Sequence, residues 1–324
     1  MESYFYFTED GKTGYFQIVD RLCFSLPFEQ PIMRITRGQW AQYFCLDQID
    51  QIDQIDQNTI SFQLNEAKWY QAASYFVKAG HYEHPIKVIR LEHTKQTGKY
   101  FKRINRGELK LSEQLINTPE ALDEMRAYEN ITESLNAIFR TIEPDVRNLN
   151  TYGNQIRELL IIACTEVEYL LQKLLKDNDI LPKNSFYTTN DYARCLSILK
   201  LNEYEVNTPY FPALGIFSPF SKWNISNPTK SLDWYYSYNQ VKHDRGGTKD
   251  KANLGSLINS IAALHIILEA QYGSEIFNDH IGRKYKTEFK TVKKPTWEIT
   301  EICIPSLFEN EIKWEGTMSY ADFI

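Results

Sequence analysis

The stretch Tyr152-Gly-Asn-Gln-Ile-Arg-Glu-Leu-Leu-Ile-Ile-Ala-Cys-Thr-Glu-Val-Glu-Tyr-Leu-Leu-Gln-Lys-Leu-Leu-Lys176 decides the fold. Leu159, Leu160, Ala163, Val167, Leu170, Leu171 and Leu174 recur at helical spacing and make one broad apolar arc, with Glu158, Thr165, Glu166 and Lys173 outside it. Water cannot cover that much hydrocarbon cheaply, so other helices must. Cys164 lies within the apolar part of this helix and reads as a packing residue.

Candidates for the covering helices flank it on both sides. Asn117-Thr-Pro-Glu120 is a helix start, with Thr118 as cap and Pro119 in the first turn, where its missing N–H does no harm. Tyr128, Ile131, Leu135, Ile138 and Ile142 then alternate at spacings of three and four, and the helix closes before Pro144. A shorter helix is predicted over Asp191 to Leu201, after the cap candidates Thr189 and Asn190. The connection from Asn202 to Pro228 is far longer than an ordinary bundle loop. Its Phe211, Phe217, Phe220 and Trp223 predict packing across the bundle. Helices over about Ser231 to Arg245 and Asp250 to Tyr272 follow, joined by Gly246-Gly247, a connection short enough to make them antiparallel neighbours.

The ends of the chain read differently. Tyr4 to Phe7 and Tyr15 to Val19 are aromatic-rich strand candidates separated by a turn-forming segment with Gly11 and Gly14, and Ile86 to Leu91 is a third. Asn65 to Ala79 has helical character and stops near Gly80. In Leu46 to Gln57 the unit Asp-Gln-Ile occurs three times; period three suits neither helix nor strand, so a duplicated surface loop is expected. Beyond Gly273 the pattern alternates again, from Tyr285 to Trp314, in a segment able to pair with the N-terminal region. The expected fold class is α+β: a central helical bundle at 117–273 between a strand-rich N-terminal domain, 1–116, and a strand-rich extension, 274–324.

Composition bounds the function. With 324 residues, 24% of them charged and 14% aromatic, the chain reads as globular rather than disordered. No unbroken run of about 18 apolar residues appears and the first residues lack a basic segment before an apolar core, so no membrane association and a cytoplasmic location are expected. Five scattered cysteines, Cys23, Cys45, Cys164, Cys195 and Cys303, give no zinc or dithiol spacing. The net charge of −6 is uneven: Lys87 to Lys110 carries a balance of +6 and Arg283 to Lys294 one of +5. Aromatics are interleaved with these cations, a mixture that suits an RNA surface and equally a solvated strand face. Lys102, Arg103 and Arg106 are the RNA-binding candidates in the first stretch.

The chemistry concentrates in Trp234-Tyr-Tyr-Ser-Tyr-Asn-Gln-Val-Lys-His-Asp-Arg245. Asn239 and His243 stand one helical turn apart, beside Lys242 and Arg245, so an amide, an imidazole and two cations can converge on one phosphate. Leu232, Tyr236, Asn239 and His243 share one face, and Trp234, Tyr238 and Val241 share another that looks buried. Imidazole exchanges a proton near neutrality, and the cations stabilise phosphate charge. Set against this is the plain alternative, a histidine interacting with the last carbonyls of a helix. His81, His84 and His93 read as solvated and His265 as a hydrogen-bonded core residue. No phosphate-binding glycine loop, nucleophile elbow or zinc pattern occurs, and neither metal nor cofactor is expected.

Over residues 119–272 the chain resembles the HEPN superfamily of helical-bundle proteins, and Tyr238-Asn-Gln-Val-Lys-His243 is the stretch that carries the resemblance. The family motif has an arginine, a polar residue, three variable residues and a histidine. In active members, the arginine and histidine of two subunits promote attack of the ribose 2′-hydroxyl on the adjacent phosphate without a metal. The resemblance implies an RNA-binding or RNA-cleaving homodimer formed through the bundle, such as a bacterial toxin or antiviral defence effector. Asn239 matches the polar position and His243 the histidine, while Tyr238 stands where the arginine belongs. Arg245, Lys242 and Arg157 are the cations available to replace it, and Tyr236 and Arg157 join the RNA-binding candidates. The alternative from another class is a non-catalytic dimeric scaffold or binding module for a protein or nucleic-acid partner.

Overall fold

Aromatic-rich strands and long apolar-faced helices sort into two compact units in the computed structural model. It describes residues 2–11, 13–19, 22–28, 41–45, 88–94, 97–107, 115–244, 246–278, 287–308 and 311–323. The class is α+β. The Asp-Gln-Ile repeat, the helix expected at 65–79, and His81 and His84 lie outside these residues.

The first unit comprises residues 1–100, 107–109 and 296–317. Strands β1 (Glu2–Thr8), β2 (Thr13–Val19), β3 (Leu22–Phe28), β4 (Ala41–Cys45) and β5 (Val88–His93) form an antiparallel sheet in the order β4-β3-β2-β1-β5. The hairpin turn between β1 and β2 uses Gly11 at φ +81°, where a side chain would be strained. Tyr6 pairs across the hairpin with Gly14, and its buried ring occupies the space a Cβ at Gly14 would need. Tyr15 is also fully buried, and its hydroxyl donates to Gln17 Oε1 at 3.1 Å and shares a hydrogen bond with the Thr97 hydroxyl at 3.2 Å. Part of the tail returns to this unit: Gly98 N–H donates to the Ile304 carbonyl, and Glu315 N–H to that of Gly98.

The second unit, residues 101–106, 110–295 and 318–324, is built on α1 (Pro119–Phe139), α2 (Asn154–Asp177), α3 (Asp233–His243) and α4 (Leu254–Tyr272). Thr118 Oγ1 accepts the Ala121 N–H at 3.1 Å, the cap read from the sequence. Asn253 caps α4 in the same way, through Ser256 N–H at 2.9 Å. The whole arc of α2 from Leu159 to Leu174 is buried against α4, α1 and α3. α4 is the central element, packed on the other three. Its mean hydropathy of 1.3 over a span long enough to cross a bilayer goes with 83% burial of that span inside the protein, which matches a core position.

Four sequence expectations change. The helix predicted over Asp191 to Leu201 is two short pieces, Thr189–Tyr192 and Cys195–Leu199. The first piece starts where Thr188 caps it, with Asp191 accepting Thr188 N–H and Lys183 N–H at 2.9 Å each, and the second ends where Lys200 adopts a left-handed conformation at φ 49°. The first bundle helix stops at Phe139, a turn short of Ile142. The long connection packs as expected, with Phe217, Phe220 and Trp223 buried and Phe211 edge-on to Phe139 at 5.1 Å. It also supplies two unforeseen strands, Glu205–Asn207 and Ile216–Phe217, which form a sheet with Lys290–Lys293. The tail is therefore shared between the units instead of standing as one extension at 274–324.

Candidate functional site

α3 is seated by its aromatics. Trp234 Nε1 donates to the Pro219 carbonyl at 3.0 Å, and its ring meets Phe220 edge-on at 6.0 Å. Tyr235 donates its hydroxyl to Glu168 Oε1 on α2 at 2.6 Å, and its ring lies 5.5 Å from that of Tyr238. Burial beside Glu168 pushes the Tyr235 phenol well above the usual tyrosine range, so it stays a neutral donor. These contacts bury Trp234, Tyr235, Tyr238 and Val241 and fix which face of α3 remains open.

The open face carries the polar motif. Leu232 is buried at its start, Tyr236 and Asn239 are half-buried, and Lys242 and His243 are exposed in the last turn. Asn239 Nδ2 donates to the Tyr235 carbonyl at 2.9 Å, a bond that does not use its side-chain oxygen. His243 is the last residue of α3. Arg245 lies outside the described residues.

Tyr238 is only 1% exposed, but its hydroxyl is not idle. Lys242 Nζ donates to it at 2.9 Å, with the ammonium 5.1 Å from the ring centroid. That hydrogen bond raises the Lys242 pKa against a smaller opposing effect of desolvation, with Glu168 adding to the rise, so the ammonium is charged across the physiological range. The link between Tyr238 and Lys242 was not read from the sequence, although their separation by four residues was legible there.

The remaining RNA-binding candidates fare unequally. Lys102 is exposed. Arg103 is 3% exposed and corrects the expectation of a phosphate-facing guanidinium: it donates to Glu124 at 2.6 and 3.1 Å, Asp177 at 2.8 Å and Gln271 at 3.0 Å. Four of its five N–H donors are engaged, and the acid Glu120 stands 3.7 Å from Nη2, so the guanidinium is committed to the core. Arg106, 7% exposed, is likewise corrected, since its guanidinium donates to Tyr320 OH at 3.0 Å and lies over the Tyr320 and Phe101 rings. The Arg157 side chain is 12% exposed and pairs with Glu158 at 3.5 Å. It makes no hydrogen bond or ion pair with Asn239, Lys242 or His243 among the described residues.

A cleft of about 300 Å³ opens at the other end of α3, lined by residues including Ser218, Lys222, Ser231, Asp233, Ser256 and Asn259. An eleven-residue helix is about 16 Å long, so this cleft and His243 stand well apart. Within one chain, His243 is on an open surface. His265 behaves as the sequence predicted: 2% exposed, 3.0 Å from Tyr128 OH and stacked on Phe277 at 4.1 Å. Cys164, Cys195 and Cys303 are buried free thiols. No group of histidine, cysteine or acidic side chains among the described residues is arranged to hold a metal.

Comparison with protein-family models, with curated proteins and with solved structures finds no match to this chain.

Proposed function

We propose that α1–α4 form an HEPN-like bundle that engages RNA through the C-terminal turn of α3. The observation that carries this reading is the joint placement of an exposed imidazole, His243, an exposed ammonium, Lys242, and the Asn239 amide one turn back. An ammonium neutralises a phosphate, an amide oxygen can accept from a ribose hydroxyl, and the imidazole can remove the 2′-hydroxyl proton. The 2′-oxygen would then bond to phosphorus as the bond to the 5′-oxygen breaks, and that oxygen takes up a proton. Because His243 is on an open surface, two copies facing through their bundles would complete the site. A cytoplasmic toxin or antiviral effector is the biological setting this reading suggests.

Mixed RNA incubated in excess chelator with wild-type protein and with His243→Ala tests the proposal. Cleavage by the wild type alone is expected; equal cleavage by both, or none by either, removes the enzymatic claim. A second reading, a non-catalytic binding module, is favoured by one observation: Tyr238 is buried and uncharged where the family places a phosphate-binding arginine. Salt-dependent RNA binding without turnover is its signature.

A further inference from the structure

We propose that Tyr238 and Lys242 act together as the phosphate anchor of this site, Lys242 touching the phosphate and Tyr238 serving as the positioning residue. The inference rests on the RNA reading above. A lone surface lysine samples many rotamers, and holding it in one costs entropy at each binding event. Here the ammonium already has a fixed tether 2.9 Å away, on a phenol that is 1% exposed and whose ring packs on that of Tyr235 at 5.5 Å. The tether uses one of three ammonium donors, leaving two for an incoming oxyanion. Lys242 follows Asn239 by three residues and adjoins His243, so the tethered ammonium lies on the same last turn of α3.

The Lys249–Lys251 turn packs back on α3 and presents exposed Lys249 near the same end, adding positive potential there. Asp244 and Asp250 are the acids of this segment, and Asp250 is engaged by Lys251 at 3.2 Å. A purely structural role for the pair is the rival: a phenol hydroxyl beside a buried ring needs a partner, and Lys242 supplies one. The two roles differ in what they do to RNA.

Fluorescence anisotropy with a labelled single-stranded RNA of mixed sequence, titrated at several salt concentrations, separates them. Lys242→Gln is expected to weaken binding of all sequences alike and to reduce the slope of log affinity against log salt by about 0.7, one phosphate contact on a single strand. Tyr238→Phe keeps the charge and the buried ring, so it should weaken binding by about threefold with the slope unchanged. Lys222→Gln, at the opposite end of α3 and 79% exposed, should match wild type in both. Thermal midpoints confirm that each variant is folded. Wild-type slope in Lys242→Gln, or wild-type affinity in Tyr238→Phe, overturns the anchor alone. Absence of salt-dependent binding by the wild type overturns the RNA reading and the anchor with it.

Discussion

Arg103 illustrates at the residue scale how charge in a sequence misleads about partners. It belongs to a stretch with a balance of +6, yet its guanidinium is enclosed by Glu124, Asp177 and Gln271 and its backbone is left-handed at φ 58°. Removing one member of a buried pair strands the other, so Arg103→Met should destabilise the protein by about 3–5 kcal/mol in urea unfolding. Restoring much of that loss with Glu124→Gln in the same chain would identify the stranded carboxylate as the cause. His265 offers a second test. Burial pushes its pKa down from 6.5 to about 4, with Glu269 opposing and Lys294 assisting. The folded state therefore holds the ring neutral while the unfolded chain binds a proton from about pH 6.5 downward. Its contribution is fully present above pH 6.5 and is lost as pH falls towards 4, by roughly 3 kcal/mol. His265→Gln should flatten that part of the stability profile relative to wild type. Parallel profiles for the two proteins would refute the assignment.

At the element scale, the Thr118 cap and the apolar periodicity were read correctly because they are local, whereas the cap expected at Thr189 or Asn190 is Thr188. Thr118 caps α1 through Ala121 N–H, so Thr118→Ala should cost about 1 kcal/mol, read from the shift in denaturation midpoint. Asp191 shows the opposite case. The helix read from there to Leu201 instead starts at Thr189, because Asp191 accepts Thr188 N–H and Lys183 N–H and closes its first turn, and it is interrupted at Ala193 and Arg194. The face of α3 that looked buried is buried, through Trp234, Tyr238 and Val241. What periodicity did not reveal is that Leu232, aligned with the polar face, is also buried, because packing near Trp234 covers the first turn and leaves the last one open.

At the scale of the whole molecule, the bundle unit gives a direct readout of its own opening. Cys164 and Cys195 are enclosed, and burial raises both thiol pKa values well above the ordinary range. Alkylation of these two cysteines, followed by peptide mass spectrometry, should proceed only at the rate of global unfolding in denaturant. Rapid labelling of either in native buffer would contradict the packed core around α2 and α4. The strand-rich tail was legible as such, yet its division was not: residues 296–317 join the first unit, whereas Lys290–Lys293 joins Glu205–Asn207 in the second.

By itself the amino-acid order determined the four bundle helices, the N-terminal hairpin, the core histidine and the polar turn at Asn239 and His243, since each depends on spacings within a few residues. Only the tertiary structure decided which cations are free. Arg103 and Arg106 are claimed by acceptors far away in the chain, Glu124, Gln271 and Tyr320, while Lys242 is held by its own helix and remains at the surface. The physical reason is range: a helix is specified by neighbours along the chain, but the desolvation and pairing of a charge are set by whatever the fold brings beside it.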